Sequence, residues 1–173
     1  IPKLIELIKS KIIGDIISIE ASFGFDMGKT IPEHRLFSKD LAGGGILDVG
    51  LYPISLSRLI AGAASSEKFL EPEFLSVEAK IGETGVDEVA HAHIKFKNGV
   101  EAKVSTAIRE SMKNNALIKG ADGTIELTDP WAPGKNSGPY HTKIIIKKNN
   151  QEEIIDLKGP EQLFFFEAEL ASQ

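Results

Sequence analysis

Asp48 and Tyr52 stand four residues apart in the stretch LAGGGILDVGLYPISLSRL, Leu41 to Leu59. Residues at that spacing share one face of a helix, so a carboxylate and a phenol project together. Gly43, Gly44 and Gly45 open the segment without side chains, which permits close backbone approach at a helix N-terminus. Pro53 has no N–H to donate, so the carbonyl of Val49 loses its usual partner and the helix is expected to be irregular beside the pair. Two readings of these residues stand: a helix start shaped for a bound molecule, or a tight glycine loop in which Asp48 caps a short turn. The run is not a dinucleotide fingerprint, because an aperiodic loop and not a strand precedes it. No P-loop is present either.

Other reactive types are sparse. His91 and His93 alternate on one strand face, a spacing found in some metal sites, but no third ligand is placed with them and Lys95 continues the same face. No metal is expected there. His34 and His141 fall in loop or loop-edge positions with no assignable partner. Trp131, in TDPWAPG, sits between prolines as a pocket rim or a packing anchor. Phe164 to Phe166 read as the core-facing side of a helix.

The net charge is −5, and the nearest thing to a basic run, KIIIKK at Lys143 to Lys148, is diluted by isoleucines; no nucleic-acid partner is expected. No apolar run approaches the roughly 18 residues that would cross a bilayer, so no membrane partner is expected. The chain has no cysteine, hence no disulfide framework and no thiolate nucleophile, and a reducing cytoplasm is the expected location. At 173 residues it reads as one domain with a real core. Its ends, IPKLIELIK and EQLFFFEAELASQ, read as cuts through a longer protein.

The elements that must position Asp48 and Tyr52 follow from periodicity. Pro2 to Ile12 reads as a helix, ended by Gly14-Asp15. From Ile17 the period becomes two, with Ile17, Ile19, Ala21 and Phe23 on one strand face. Gly24 to Asp40 is a long loop, a length that usually signals function. Gly43 to Ala61 is the central helix, and a polar stretch from Gly62 to Pro72 leads into a strand-rich half. Alternation marks strands at Leu75–Ile81, Ala90–Phe96, Val100–Thr106, Ala116–Lys119, Thr124–Leu127, Thr142–Lys148 and Glu153–Leu157. Lys97-Asn98-Gly99 and Asn149-Asn150 are the tight turns among them. The expected class is α+β: a large, mostly antiparallel open sheet with helices at the start, middle and end packed on one face.

The segment RLFSKDLAGGGILDVGLYPISLSRLIAG, Arg35 to Gly62, resembles the Gfo/Idh/MocA family, the glucose–fructose oxidoreductase and inositol dehydrogenase group. The glycine run followed by Asp48, Gly50 and Tyr52 matches that family's substrate-domain motif. With Tyr52 the chain resembles the branch of glucose–fructose oxidoreductase, xylose dehydrogenase and dihydrodiol dehydrogenase; many other members of the family have histidine at that position. The flanks IPKLIELIKSKIIGDIISIEASF and GADGTIELTDPW agree.

The resemblance implies that residues 1–173 are the C-terminal, substrate-binding domain of a two-domain oxidoreductase. The N-terminal Rossmann domain is absent from this chain, as is the Glu-Lys-Pro motif that carries the family's active-site lysine. It implies NAD or NADP as cofactor of the whole protein, with neither expected to bind this chain alone, and a small sugar or diol as substrate. By the same analogy Tyr52 moves the hydroxyl proton, which a phenol does at neutral pH only beside a cation, and Asp48 orients substrate hydroxyls. Gly44 and Gly45 would let the nicotinamide approach. Arg35 and Phe25, in the loop before the motif, and Trp131 are the substrate-binding candidates. Subunits are expected to pair through the sheet into a homo-oligomer. The rival expectation is a non-enzymatic dimerisation or small-ligand-binding module on the same scaffold.

Overall fold

Period-two runs of β-branched and aliphatic residues form eight strands in the structure, a computed structural model that describes residues 1–133, 139–159 and 171–172. Helix α1 (Pro2–Lys9) leads into β1 (Ile16–Gly24). A long loop follows, with short 3-10 turns at Arg35–Phe37 and Lys39–Leu41. A π-helical turn, Ile46–Gly50, then runs directly into α2 (Leu51–Ala64). The remaining strands are β2 (Pro72–Ile81), β3 (Asp87–Phe96), β4 (Glu101–Ala107), β5 (Asn115–Gly120), β6 (Gly123–Thr128), β7 (His141–Lys148) and β8 (Gln151–Lys158).

They form one sheet in the order β2-β3-β4-β1-β5-β6-β7-β8. Every neighbouring pair is antiparallel except β1 with β4, which run parallel with Phe23 opposite Thr106. The first strand thus lies at the centre of the sheet, flanked by the fourth and fifth strands. This is the α+β class expected from the alternation.

One face of the sheet is apolar and carries both described helices. Leu4, Leu7 and Ile8 of α1 and Leu56, Ile60, Ala61 and Ala63 of α2 share a core with Ile19, Ala21, Ile94, Ala102, Val104, Ile118, Ile125 and Ile144. The opposite face is polar, with Glu20, His91, Lys95 and Lys103 exposed on it. A second, smaller core lies under the long loop, where Leu36, Phe37, Val86 and Ile108 are buried with Phe25, Met27 and Ile31 against them. That cluster gives the loop a fixed path, since burying side chains such as Leu36 and Phe37 stabilises by about 1.5–3 kcal/mol each.

Several sequence expectations need adjustment. Helix α1 stops at Lys9, because Lys11 (φ 54°) and Gly14 (φ 75°) turn the chain before β1. Ile17 does not share the buried face of Ile19: it is 55% exposed, since a β-bulge between Ile16 and Ser18 inserts one residue against β5 and reverses the alternation there. Leu75, Val77 and Ile81 alternate as expected, yet all of β2 is exposed. Helix α2 packs chiefly over β1 and β4, away from this edge strand. The helix expected at the C-terminal end, with Phe164 to Phe166, lies outside the described residues. The helical stretch Lys39–Ala64 is long and apolar enough to cross a membrane by length and composition, unlike the sequence expectation, but half of its most apolar window is buried in the fold.

The turn between β3 and β4 is tied to the end of α2. Asn98 Nδ2 donates to the carbonyl of Ala61 at 3.0 Å and to Ser65 Oγ at 2.8 Å, and its Oδ1 accepts from the Val100 N–H at 3.2 Å. Asn98→Ala removes all three bonds while leaving the strands intact. A loss of about 1–2 kcal/mol of stability is expected, read as an earlier midpoint in urea unfolding with an unchanged slope.

Candidate active site

The π-helical turn falls on the residues that the sequence marks. A π turn holds an extra residue per turn and leaves backbone groups off the regular ladder, a form found mostly at functional sites. Here it spans Ile46–Gly50 and contains Asp48, whose N–H bonds to the Gly44 carbonyl at 3.1 Å. Tyr52 lies in the first turn of the regular helix that follows, which begins at Leu51. The irregularity anticipated from Pro53 is therefore present, on its N-terminal side.

Two groups of side chains meet at this helix start. Arg35 opens a 3-10 turn whose Leu36 and Phe37 are anchored in the minor core, with His34 Nδ1 accepting the Leu36 N–H at 3.2 Å. Anchored in this way, the turn leaves Arg35 in the open, its side chain 65% exposed, with Nη1 2.5 Å from Asp48 Oδ1. The Asp48 side chain is 14% exposed. One helical turn on, Tyr52 is 44% exposed and meets Phe23 edge-on, with ring centroids 5.5 Å apart. Phe23 in turn stacks on Trp131 at 5.9 Å and 13°. Trp131 donates its indole N–H to the Ser22 carbonyl at 2.8 Å, which fixes the ring over the end of β1. The result is an aromatic wall beside a carboxylate–guanidinium pair, able to face an apolar ring on one side and hydroxyl groups on the other.

Of the residues singled out in the sequence, Arg35, Asp48, Tyr52 and Trp131 are thus brought together. Phe25 is placed elsewhere, in the minor core with Met27 and Ile31. Gly44 and Gly45 sit against Asp87, at the start of β3. The Asp87 carboxylate accepts the Ile46 N–H at 2.7 Å and also takes the N–H of Gly45. Gly44 has φ +112°, and a Cβ there would come within 2.3 Å of Asp87 Oδ1. A Cβ on Gly43 would be 2.6 Å from the carbonyls of both Arg35 and Leu36. Burial pushes the Asp87 carboxyl above its usual range, and the N–H groups of Ile46, Asp87 itself and Gly45 pull it partly back.

Phe23, Asp87 and Thr106 lie at this candidate site and were missed by the sequence reading. Phe23 carried only the signal of a strand face. Asp87 and Thr106 lie far along the chain from the glycines and reach them only because β3, β4 and β1 are neighbours.

The histidines have plain roles. His91 Nδ1 pairs with Ser105 Oγ at 2.9 Å, and His93 Nε2 with Glu101 at 3.0 Å on the open face. His141 pairs with Asp156 at 3.1 Å. Among the described residues no group of three or more His, Cys, Asp or Glu is placed to hold a metal ion.

The sheet, the helix laid across it and the glycine–Asp–Tyr start define a class of protein. The family model described as GFO/IDH/MocA C-terminal domain matches residues 1–126, and the chain belongs to this family. Its particular relatives include trans-1,2-dihydrobenzene-1,2-diol dehydrogenase of Mus musculus, 33% identical over 128 residues, which cover 74% of this chain and 36% of that protein. The enzyme of the same name from Xenopus tropicalis is 30% identical over 152 residues, covering 87% of this chain and 40% of that protein. The chain therefore spans well under half the length of these relatives.

Among solved structures, a variant of KijD10, a 3-ketoreductase from Actinomadura kijaniata in complex with TDP-benzene and NADP, superposes with a TM-score of 0.81. It is 20% identical, and the match covers 99% of this chain and 49% of that one. An aldose-aldose oxidoreductase from Caulobacter crescentus, complexed with glycerol, gives a TM-score of 0.73 at 18% identity over 98% of this chain and 48% of that one. These structural likenesses show the shared fold.

The contact between Gly44 and Asp87 leaves no room for a side chain. Gly44→Ala combines a left-handed backbone with a collision against the partly buried Asp87 carboxylate, and a loss of about 1–3 kcal/mol is expected in thermal or urea unfolding.

Proposed function

We propose that this chain is the substrate-binding and catalytic half of an NAD(P)-dependent oxidoreductase that oxidises a carbinol of a small sugar or diol. The observation that carries the reading is the convergence of Arg35, Asp48, Tyr52, Phe23 and Trp131 at one helix start, in a chain of this family. The relatives' names, a diol dehydrogenase, a 3-ketoreductase and an aldose-aldose oxidoreductase, support the same class of reaction.

In this reading the substrate ring lies against Tyr52 and the Phe23–Trp131 stack, with its C–H groups on the aromatic wall. The Asp48 carboxylate, oriented by Arg35, accepts a hydrogen bond from a substrate hydroxyl and fixes which carbon faces the reaction. Tyr52 Oη, held as phenolate by a cation that residues outside this chain would supply, takes the proton of the reacting hydroxyl as that carbon becomes a carbonyl. The nicotinamide, when bound, supplies the acceptor for the hydride that leaves the same carbon. Holding these groups in register removes much of the entropic barrier to such a transfer.

The residues described here do not fit the dinucleotide itself. No strand–glycine–helix unit cradles a pyrophosphate, and the open side of Gly44 is filled by the Asp87 carboxylate, which repels an anion. Holding the cofactor falls to residues outside this chain. Titration of the 173-residue chain with NAD(H) or NADP(H) in a calorimeter is therefore expected to give no measurable heat. Binding at about micromolar strength would overturn the division of labour.

The reaction itself is tested in the full-length protein. Tyr52→Phe keeps the ring and its edge contact with Phe23 but removes the proton-transfer group, so kcat for diol or sugar oxidation is expected to fall by about 10²- to 10⁴-fold. The KM for nicotinamide should change little. Asp48→Asn is expected to act more on the KM of the substrate than on kcat. A Tyr52→Phe protein that keeps parental turnover would sink the assignment and favour a binding module on this scaffold.

A further inference from the structure

One peptide unit at the helix start is gripped at both ends by side chains from two different strands. The peptide joins Gly45 to Ile46, at the mouth of the π turn. Its N–H donates to Asp87 Oδ2, from the first residue of β3, at 2.7 Å. Its carbonyl accepts from Thr106 Oγ1, near the end of β4, at 3.0 Å. Thr106 is 4% exposed, among the apolar Val104, Ala107 and Ile108. Its methyl group also abuts Gly50, where a Cβ would lie 3.3 Å from Thr106 Cγ2.

Burial alone does not require these residue types. Valine would fill the place of Thr106 with the same shape, and a partly buried carboxylate at 87 is costly without donors. Both polar groups are satisfied by the Gly45–Ile46 peptide. In a π turn the carbonyl of one residue accepts the N–H five residues on, so Thr106 gives the Gly45 carbonyl a second donor from outside the helix. Asp87 supplies the acceptor that an N–H at the helix start lacks within the helix. Released from both, the turn can rewind to α-helical geometry, which rotates Asp48 relative to Tyr52.

We infer that Asp87 and Thr106 are positioning residues of the site: by clamping the Gly45–Ile46 peptide they hold the π turn that sets Asp48 against Arg35 and Tyr52 against Phe23. The inference rests on the reading of Asp48 and Tyr52 given above and extends it to residues that touch no substrate. Thr106 sits opposite Phe23 in the parallel β1–β4 pair, so one strand register sets both the clamp and the aromatic wall.

The test uses a reporter on Tyr52 and the kinetics of the full-length protein. The chain has two tyrosines, so Tyr140→Phe leaves Tyr52 as the single site for 3-fluorotyrosine. In that background Thr106→Val is expected to shift or split the ¹⁹F resonance, and Thr106→Ser, which keeps the hydroxyl, to restore it. Asp87→Asn turns one acceptor into a donor facing the helix N–H groups and should disturb the resonance as Thr106→Val does. In the full-length protein Thr106→Val should lower kcat by about 10- to 10²-fold with little change in the KM of nicotinamide, and Thr106→Ser should recover most of the loss.

An unmoved Tyr52 resonance in either Thr106→Val or Asp87→Asn, or a serine variant that fails to rescue, overturns the clamp. If Thr106→Val does not fold, Asp87→Asn decides the matter with the same two readouts. The two ideas fail separately. Full turnover in Tyr52→Phe overturns the oxidoreductase reading and leaves the ¹⁹F outcome standing, whereas an unmoved resonance beside a dead Tyr52→Phe overturns the clamp alone.

Discussion

A carboxylate drawn part-way out of water must find donors, and Asp87 finds them in the backbone N–H groups at the start of the helix that crosses the sheet. Much of the site follows from that contact. The chain must approach Asp87 closely in a left-handed conformation, which only glycine does without strain, and Gly44 is the residue at that point. Because the Ile46 N–H points at β3 and the Gly45 carbonyl at β4, the helix starts over the end of the central strand. Asp48 and Tyr52 are then carried to the place where β1 gives way to the long loop.

The ion pair between Arg35 and Asp48 has a different character. Exposed pairs of this kind contribute about 0–1 kcal/mol, so the contact does not hold the loop in place. The loop is held by the burial of Leu36 and Phe37 with Val86 and Ile108. Arg35 is delivered by that packing, and its guanidinium sets the direction of the Asp48 carboxylate while remaining in reach of solvent. Stability and orientation thus come from neighbouring residues in one turn. The aromatic side follows the same division: the indole N–H bond to Ser22 fixes Trp131, and Trp131 backs Phe23, which meets Tyr52.

The sheet supplies the rigid frame for both arrangements. Its first strand lies at the centre and is paired on both sides, so the end of β1 cannot move without disturbing β4 and β5. The edges are less constrained. All of β2 is exposed, and β8 carries exposed Ile154 at the other edge. The residues of the candidate site gather at this rigid centre, where strand pairing on both sides limits movement.

Local patterns in the sequence were enough for the elements and for half of the site. Strand alternation, the helical spacing of α1 and the turns at Asn98-Gly99 and Asn149-Asn150 are each written within a few residues, because side-chain direction repeats with the backbone period. Asp48 and Tyr52 were legible for the same reason, being neighbours on one helix. What local pattern could not contain was decided by tertiary structure. The bulge that turns Ile17 outward depends on pairing with β5, and the exposure of Leu75 and Val77 depends on β2 lying at the edge of the sheet. The placement of Phe25 in the minor core and of Phe23 on Tyr52 depends on the path of the loop. The purpose of the glycines was the least visible of all. Their partner Asp87 lies some forty residues away in sequence and meets them only because hydrogen bonding puts β3 beside β4 and β4 beside β1, a relation between strands that no single segment encodes.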